Sequence, residues 1–201
     1  MKPGSPTLKS APPKLVVIGA SAGGLEALNS ILPALSGRFP APVVVVVHLP
    51  AGKESALPSI FGERCSLRVK EAEDKERLEP GVVYFAPPDY HLLVETGGTL
   101  SLSSEEPELF SRPSINVLFE SAADACGSGV VGIILSGANS DGADGLRAVC
   151  AAGGRAMVQE PETAASEAMP NSAARACPRA LLLKPGEIAK RLMEMAGTTT
   201  K

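Results

Sequence analysis

The sequence predicts an α/β domain: a doubly wound, mostly parallel sheet with helices on both faces and an antiparallel hairpin addition. Three observations predict it. Val43 through Val47 are five consecutive valines, which fits a strand buried on both faces, as strands of parallel sheets are. Short apolar runs alternate with helical stripes along most of the chain, the pattern of repeated strand-helix units. Finally, Leu15-Val16-Val17-Ile18-Gly19-Ala20-Ser21-Ala22-Gly23-Gly24-Leu25 passes from an apolar strand through a turn of tiny residues into a helical pattern.

The elements follow in order. Residues 1–13 are rich in Pro and Ser and read as a flexible tail or the remnant of a linker. The folded domain is expected over 14–196, with 197–201 a second flexible tail. A first strand spans about 14–19. The helix after Gly24 carries Leu25, Leu28, Ile31, Leu32 and Leu35 at helical spacing. The valine strand ends in His48. A loop and helix occupy roughly 51–64, and another strand lies near 66–70. Between 81 and 103 the runs VVYFAP, HLLVE and TLSLS, separated by Pro-Pro-Asp and Gly-Gly, read as antiparallel strands joined by turns. Helix 113–126, strand 129–135, helix 143–152 and strand 155–159 resume the alternation. A short strand at 180–183 and a helix at 186–196 close the chain.

Composition narrows the function classes. With 201 residues, 44% of them hydrophobic, the chain suits one compact domain with a sizeable core. A net charge of −3 with no basic run, and only 3% aromatics with no Trp, argue against a nucleic-acid surface. No run approaches 18 apolar residues and no signal-peptide pattern opens the chain, so neither membrane insertion nor secretion is expected. Cys65, Cys126, Cys150 and Cys177 are widely spaced without a C-x-x-C pair. Reduced thiols in a cytoplasm are therefore expected in preference to disulfides or a zinc site.

Gly19, Ser21 and Gly23 spell G-x-S-x-G, the pattern of a nucleophile elbow. The alternatives for the motif by itself are a serine N-cap and a phosphate-binding turn. The spacing does not fit the dinucleotide fingerprint, and no G-K-[ST] follows. A serine nucleophile needs a base, and the base needs a carboxylate to fix its tautomer. In open parallel sheets such groups collect at the carboxyl ends of strands. His48 ends the valine strand, and Asp141 lies in SGANSDGADG after the strand VVGIIL. Either residue by itself could be a turn or cap residue. Asp144 is the competing acid, and His91, the second of two histidines, reads as a structural residue of the hairpin. The order Ser, His, Asp differs from the Ser, Asp, His order of α/β-hydrolases.

The stretches VVIGASAGG, VVVVHLP, VKEAEDKERLEPGVVYFAPPDYHLLVE, SRPSINVLFES, VVGIILSGANSDGADGL and SEAMPNSA resemble, in order and spacing, the catalytic domain of bacterial chemotaxis receptor methylesterases (CheB-type). The resemblance covers roughly residues 14–195. It implies a doubly wound α/β fold and hydrolysis of glutamyl methyl esters on the cytoplasmic helical bundle of chemoreceptors, with release of methanol. It also implies Ser21 as nucleophile, His48 as base and Asp141 as its orienting acid, with no metal and no organic cofactor. The amides of Ala22 and Gly23 would be the oxyanion donors. Arg112 aligns with a family arginine near the groove, where it would pair an acidic receptor side chain or make a surface salt bridge. Met169 would line the groove or pack in the core.

The chain departs from the family pattern at Ala22, where threonine is frequent, at Ala138 and Asn139, where methionine and glycine are frequent, and at Asn116, where aspartate is common. The changes at Ala22, Ala138 and Asn139 would alter the groove. Deamidation of receptor glutamines by the same triad is an alternative activity, and a non-catalytic docking module of the same fold is a third reading. No receiver-like segment precedes the first strand. The catalytic face is therefore expected to be open, with control left to a separate signalling regulator or to receptor access. Acetyl phosphate should leave methanol release from the purified protein unchanged, and a several-fold stimulation would contradict this expectation.

Overall fold

The computed structural model describes residues 12–48 and 55–197. Seven strands form one parallel sheet: β1 (Leu15–Ala20), β2 (Val43–Val47), β3 (Arg68–Glu71), β4 (Val82–Phe85), then after a hairpin β7 (Val130–Ile134), β8 (Arg155–Gln159) and β9 (Leu181–Leu183). Their spatial order is β3-β4-β2-β1-β7-β8-β9. From β1 the chain passes to β2 and out to the edge strand β3, comes back to insert β4 between them, then crosses to the other side of β1 and winds outward through β7, β8 and β9. The reversal between β2-β1 and β1-β7 is the topological switch point, where open α/β sheets place their sites. The hairpin is the separate two-stranded sheet β5 (His91–Glu95) and β6 (Thr99–Ser103).

Four strands bury every residue, β1, β2, β4 and β7, as their unbroken apolar runs require. Alternate side chains serve opposite faces. Val16, Ile18, Val43, Val45 and Val47 pack toward α1 (Gly24–Ile31) and α6 (Pro185–Met195) through Leu28, Ile31, Ile188 and Leu192. Leu15, Val17, Val44 and Val46 face α3 (Ile115–Cys126), α4 (Ala143–Ala151) and α5 (Ala168–Ala176) through Leu118, Phe119, Leu146 and Ala173. A short α2 (Leu57–Gly62) covers one end with Leu57 and Phe61. Leu25, expected in the apolar stripe of α1, instead points outward.

The structure corrects three expectations. VVYF is not part of an antiparallel meander: β4 runs parallel between β2 and β3 in the main sheet. All four residues are buried, and a fully buried strand belongs in the sheet centre. Helix α5 is absent from the reading of the sequence because Pro170 interrupts its first turn and its apolar residues, Met169 apart, are alanines; proline is tolerated there because first-turn amides have no intrahelical acceptor. Cys150 and Cys177 are joined in a disulfide rather than reduced. Cys150 lies near the end of α4 and Cys177 caps α5, so the 27-residue separation closes only once the missed helix packs on its neighbour. Cys65 and Cys126 are free thiols. Of the expected tails and the 51–64 segment, residues 1–11, 51–54 and 198–201 lie outside the described residues. No helix among the described residues is long and apolar enough to cross a membrane.

Helix α3 sits close against β1. A Cβ on Gly19 would collide with the side chain of fully buried Ile115. Gly19→Ala should cost about 1–3 kcal/mol through overpacking, read as a lower urea midpoint with an unchanged slope. Adding Ile115→Ala should recover part of that loss, the coupling expected of residues in contact.

Candidate active site

Adjacent strands place the first two groups. In the β1–β2 register Ala20 pairs with Val47, so Ser21 and His48 are the next residues past the ends of neighbouring strands, about 4.8 Å apart across the ladder. The His48 amide still donates to Ala20 O at 3.1 Å. Strand β7 flanks β1 on its other side, and the loop after it carries Asp141. Three strand ends thus deliver the serine, histidine and aspartate to one edge.

The histidine and acid are in contact. His48 Nε2 lies 2.8 Å from Asp141 Oδ2, with the His48 side chain 13% exposed and Asp141 fully buried. The carboxylate accepts three further bonds. Ile115 N donates to Oδ2 at 2.7 Å, Asn116 N to Oδ1 at 2.9 Å, and Ser114 Oγ to Oδ1 at 3.0 Å. Ser114 is the N-cap of α3, and Ile115 and Asn116 are its first residues. A helix N-terminus is a ready-made anion site because its first amides lack acceptors and its dipole favours negative charge. Burial opposes ionisation of Asp141, but the His48 bond and the Ile115 and Asn116 amides outweigh it and hold its pKa below the usual carboxylate range. An ionised carboxylate only accepts, so His48 carries its proton on Nε2 and presents Nδ1 as the basic nitrogen.

The serine stands partly exposed on the elbow. A hydrogen bond between Ser21 Oγ and His48, expected from the triad reading, is absent among the described residues. The histidine is anchored at its strand end and at Asp141; catalytic contacts of this kind are often long without substrate and tighten in the substrate complex. The elbow backbone is held more firmly. Ser21 N donates to Ser136 O at 2.9 Å, and Gly24 N to Ser21 O at 2.9 Å. Gly23, the N-cap of α1, is left-handed with φ 77°. A Cβ there would press on Ala165 and come within 2.9 Å of Ser136 Oγ, so glycine is required both by conformation and by space. The Ala22 and Gly23 amides have no acceptor among the described residues, which leaves them available as oxyanion donors.

Sequence reasoning missed the residue that clamps this turn. Ser136 is fully buried; its Oγ donates to Ala22 O at 2.7 Å and accepts from Ser166 N at 2.9 Å. Its own amide donates to Oε1 of buried Gln159 at 3.0 Å. The only signal was its place immediately after an apolar strand run. Asn116 was noticed as a departure without a reason, and the structure supplies one. Its Oδ1 accepts from Gly142 N and Gly145 N, both at 2.9 Å, while Nδ2 donates to Glu108 Oε1 at 2.8 Å. An aspartate there could serve the two amides but would repel Glu108.

The remaining candidates separate. Met169 is 1% exposed and packs behind the acid loop, where a Cβ on Gly137 would meet its Sδ at 2.6 Å; it supports the loop and does not line a groove. Arg112 Nη1 donates to Ser104 O and Glu105 O, both at 2.9 Å, so this guanidinium braces a loop instead of forming a surface salt bridge. Ala138 is exposed and Asn139 half-buried at the rim, where Asn139 Oδ1 accepts from Asp141 N at 3.2 Å. Asp144 pairs with Arg147 at 2.8 Å in solvent and has no bond to His48. His91 is buried: its Nδ1 accepts from Ser114 N at 3.1 Å and its Nε2 donates to Glu106 O at 3.1 Å, a structural role.

A serine elbow at the switch point of a parallel α/β sheet, beside a buried histidine-carboxylate pair, is the arrangement of a serine hydrolase. The model of the CheB methylesterase family matches residues 16–192, and the chain belongs to that family. It is 48% identical over 161 residues to a putative protein-glutamate methylesterase/protein-glutamine glutaminase of Leptospira interrogans, covering 80% of this chain and 83% of that protein. A Methanosarcina acetivorans protein-glutamate methylesterase/protein-glutamine glutaminase is 36% identical over 196 residues, but this chain spans only 55% of its length. Among solved structures, the Thermotoga maritima CheB methylesterase catalytic domain superposes with a TM-score of 0.87 at 35% identity, covering 91% of this chain and 98% of that one.

Two outcomes test the geometry. Ser136→Ala would strand the Ser166 amide and the Ala22 carbonyl, costing about 1–3 kcal/mol in a denaturant titration. Because Asp141 has a depressed folded pKa, its ionised form stabilises the fold above the unfolded value of about 3.9. That contribution should be lost as pH falls through the lower folded value. Asp141→Asn should flatten this acid limb of the stability-pH curve.

Proposed function

We propose that this chain hydrolyses glutamyl methyl esters on the helical bundles of bacterial chemoreceptors, releasing methanol, with Ser21, His48 and Asp141 as its triad. The observation that carries the reading is the His48 Nε2–Asp141 Oδ2 bond at 2.8 Å to a fully buried carboxylate, one residue past the strand end that neighbours Ser21. A docking surface has no use for a carboxylate locked onto a histidine beside an elbow serine.

Ser21 Oγ attacks the ester carbonyl while His48 Nδ1 takes its proton. The negative charge that develops on the carbonyl oxygen faces the Ala22 and Gly23 amides, which have no acceptor among the described residues. Asp141 stabilises the imidazolium. His48 then returns the proton to the departing methoxide, and methanol leaves behind an acyl-serine. Water, deprotonated by the same Nδ1, adds to the acyl carbonyl; as the tetrahedral intermediate collapses, the imidazolium gives that proton to the departing Ser21 Oγ, so the substrate regains a free glutamate and the enzyme its starting state. Each step is proton transfer and acyl transfer, carried by this chain's own side chains.

The paired names of the Leptospira and Methanosarcina relatives support a second reading: the same triad releases ammonia from glutamine. An amide is the harder substrate because its leaving nitrogen must be protonated. Purified protein incubated with methyl-labelled receptor should release methanol, and Ser21→Ala should abolish that release. Asp141→Asn should lower kcat by about 10⁴-fold through the wrong histidine tautomer. Ammonia from unmethylated receptor without methanol from methylated receptor would select the deamidase reading.

A further inference from the structure

The loop between β6 and α3 ends in an unusual tip. Glu108 and Ser111 bond to each other in both directions, Ser111 N to Glu108 O at 2.8 Å and Glu108 N to Ser111 O at 3.2 Å, closing a two-residue hairpin turn. Its central residues, Leu109 and Phe110, both have positive φ, 47° and 63°. Such turns select Asn-Gly, because β-carbons are strained in the left-handed region. Here the strained positions hold two apolar side chains instead, and neither is buried. Leu109 is 46% exposed and Phe110 fully exposed at 103%. A turn that served folding alone would carry neither the strain nor the exposed ring.

The base of the tip is rigid. Arg112 Nη1 grips Ser104 O and Glu105 O, buried His91 donates to Glu106 O, and Asn116 Nδ2 donates to Glu108. The last bond leads straight to the site, since the Asn116 amide donates to Asp141. Strain held in place by its surroundings beside a reactive centre points to function.

We propose that Leu109 and Phe110 form a docking knob that seats in the apolar groove between two helices of the receptor bundle and presents the ester to Ser21; the proposal rests on the esterase reading above. A methyl ester on the outside of a helical bundle gives the enzyme little to enclose, so recognition must reach past it. Ridges of side chains on packed helices leave grooves that fit one aromatic ring, and rigid aromatic anchors dominate binding at protein interfaces. Exposed Glu105 and Glu106 collar the knob with negative charge, which basic residues at the rim of the receptor groove would complement.

The test replaces Leu109→Asn together with Phe110→Gly, the pair this turn prefers. The substitution should raise Tm by about 2–4 °C, the shift a relieved strain of this size brings in a domain of this length. It should also raise KM for methyl-labelled receptor fragment about tenfold while kcat stays within twofold. A purely structural tip would gain stability without losing KM. An unchanged KM with an active wild type overturns the knob and leaves the esterase reading standing. A wild-type dimer that becomes a monomer in the variant assigns the tip to self-association and overturns it as well. A wild type that releases no methanol from methylated receptor overturns the esterase reading, and the knob with it.

Discussion

One carboxylate organises the catalytic edge. Asp141 takes two amides and a hydroxyl from the start of α3 and a ring N–H from His48. A buried charge with a partner missing would be expensive; with all four donors present it joins three segments that are distant in sequence. The helix dipole does for this acid what a neighbouring arginine does elsewhere, and no cation has to be buried with it. The catalytic orientation of the histidine and the packing of α3 on the sheet are therefore one and the same constraint. Gly19 repeats the point on the other side of that helix, where the absence of a side chain lets Ile115 approach β1.

Around that centre lies a set of polar groups whose task is to hold backbone. Ser136 fastens the elbow to the strand beside it and to the segment at Ser166, and Gln159 fastens Ser136. Asn116 ties the start of α4 to α3 through two amides of the acid loop, and His91 ties the hairpin to the start of α3. Each is buried and bonded, so each rigidifies what it touches. Among the described residues, no side-chain hydrogen bond holds the Ser21 hydroxyl.

Much of this was legible in the residues. The valine run gave away a doubly buried strand, and strand-end positions singled out Ser21, His48 and Asp141. The two histidines could be told apart because one ends a strand and the other begins a hairpin. What stayed hidden depends on contacts between distant segments. VVYF looks alike as a meander strand or a parallel one, and only its neighbours β2 and β3 decide. Helix α5 carries a proline in its first turn and, Met169 apart, only small apolar side chains, and without it the Cys150–Cys177 pairing has no geometry. Ser136 is one serine after one strand, and its value lies in three bonds to groups that no spacing rule connects.

The wide spacing of the catalytic groups has a consequence for how the molecule comes to life. The His48–Asp141 contact spans 93 positions of chain, and Ser21 lies beside that pair only when β1 is paired on its two sides. Contacts that close long loops are the slow ones to form. A partly folded chain with β1 and β2 paired already holds serine and histidine side by side, yet its imidazole has no acid until β7 and α3 arrive. On the proposed triad, regain of activity after dilution from denaturant would report the pairing that brings Asp141 to His48 rather than the first collapse.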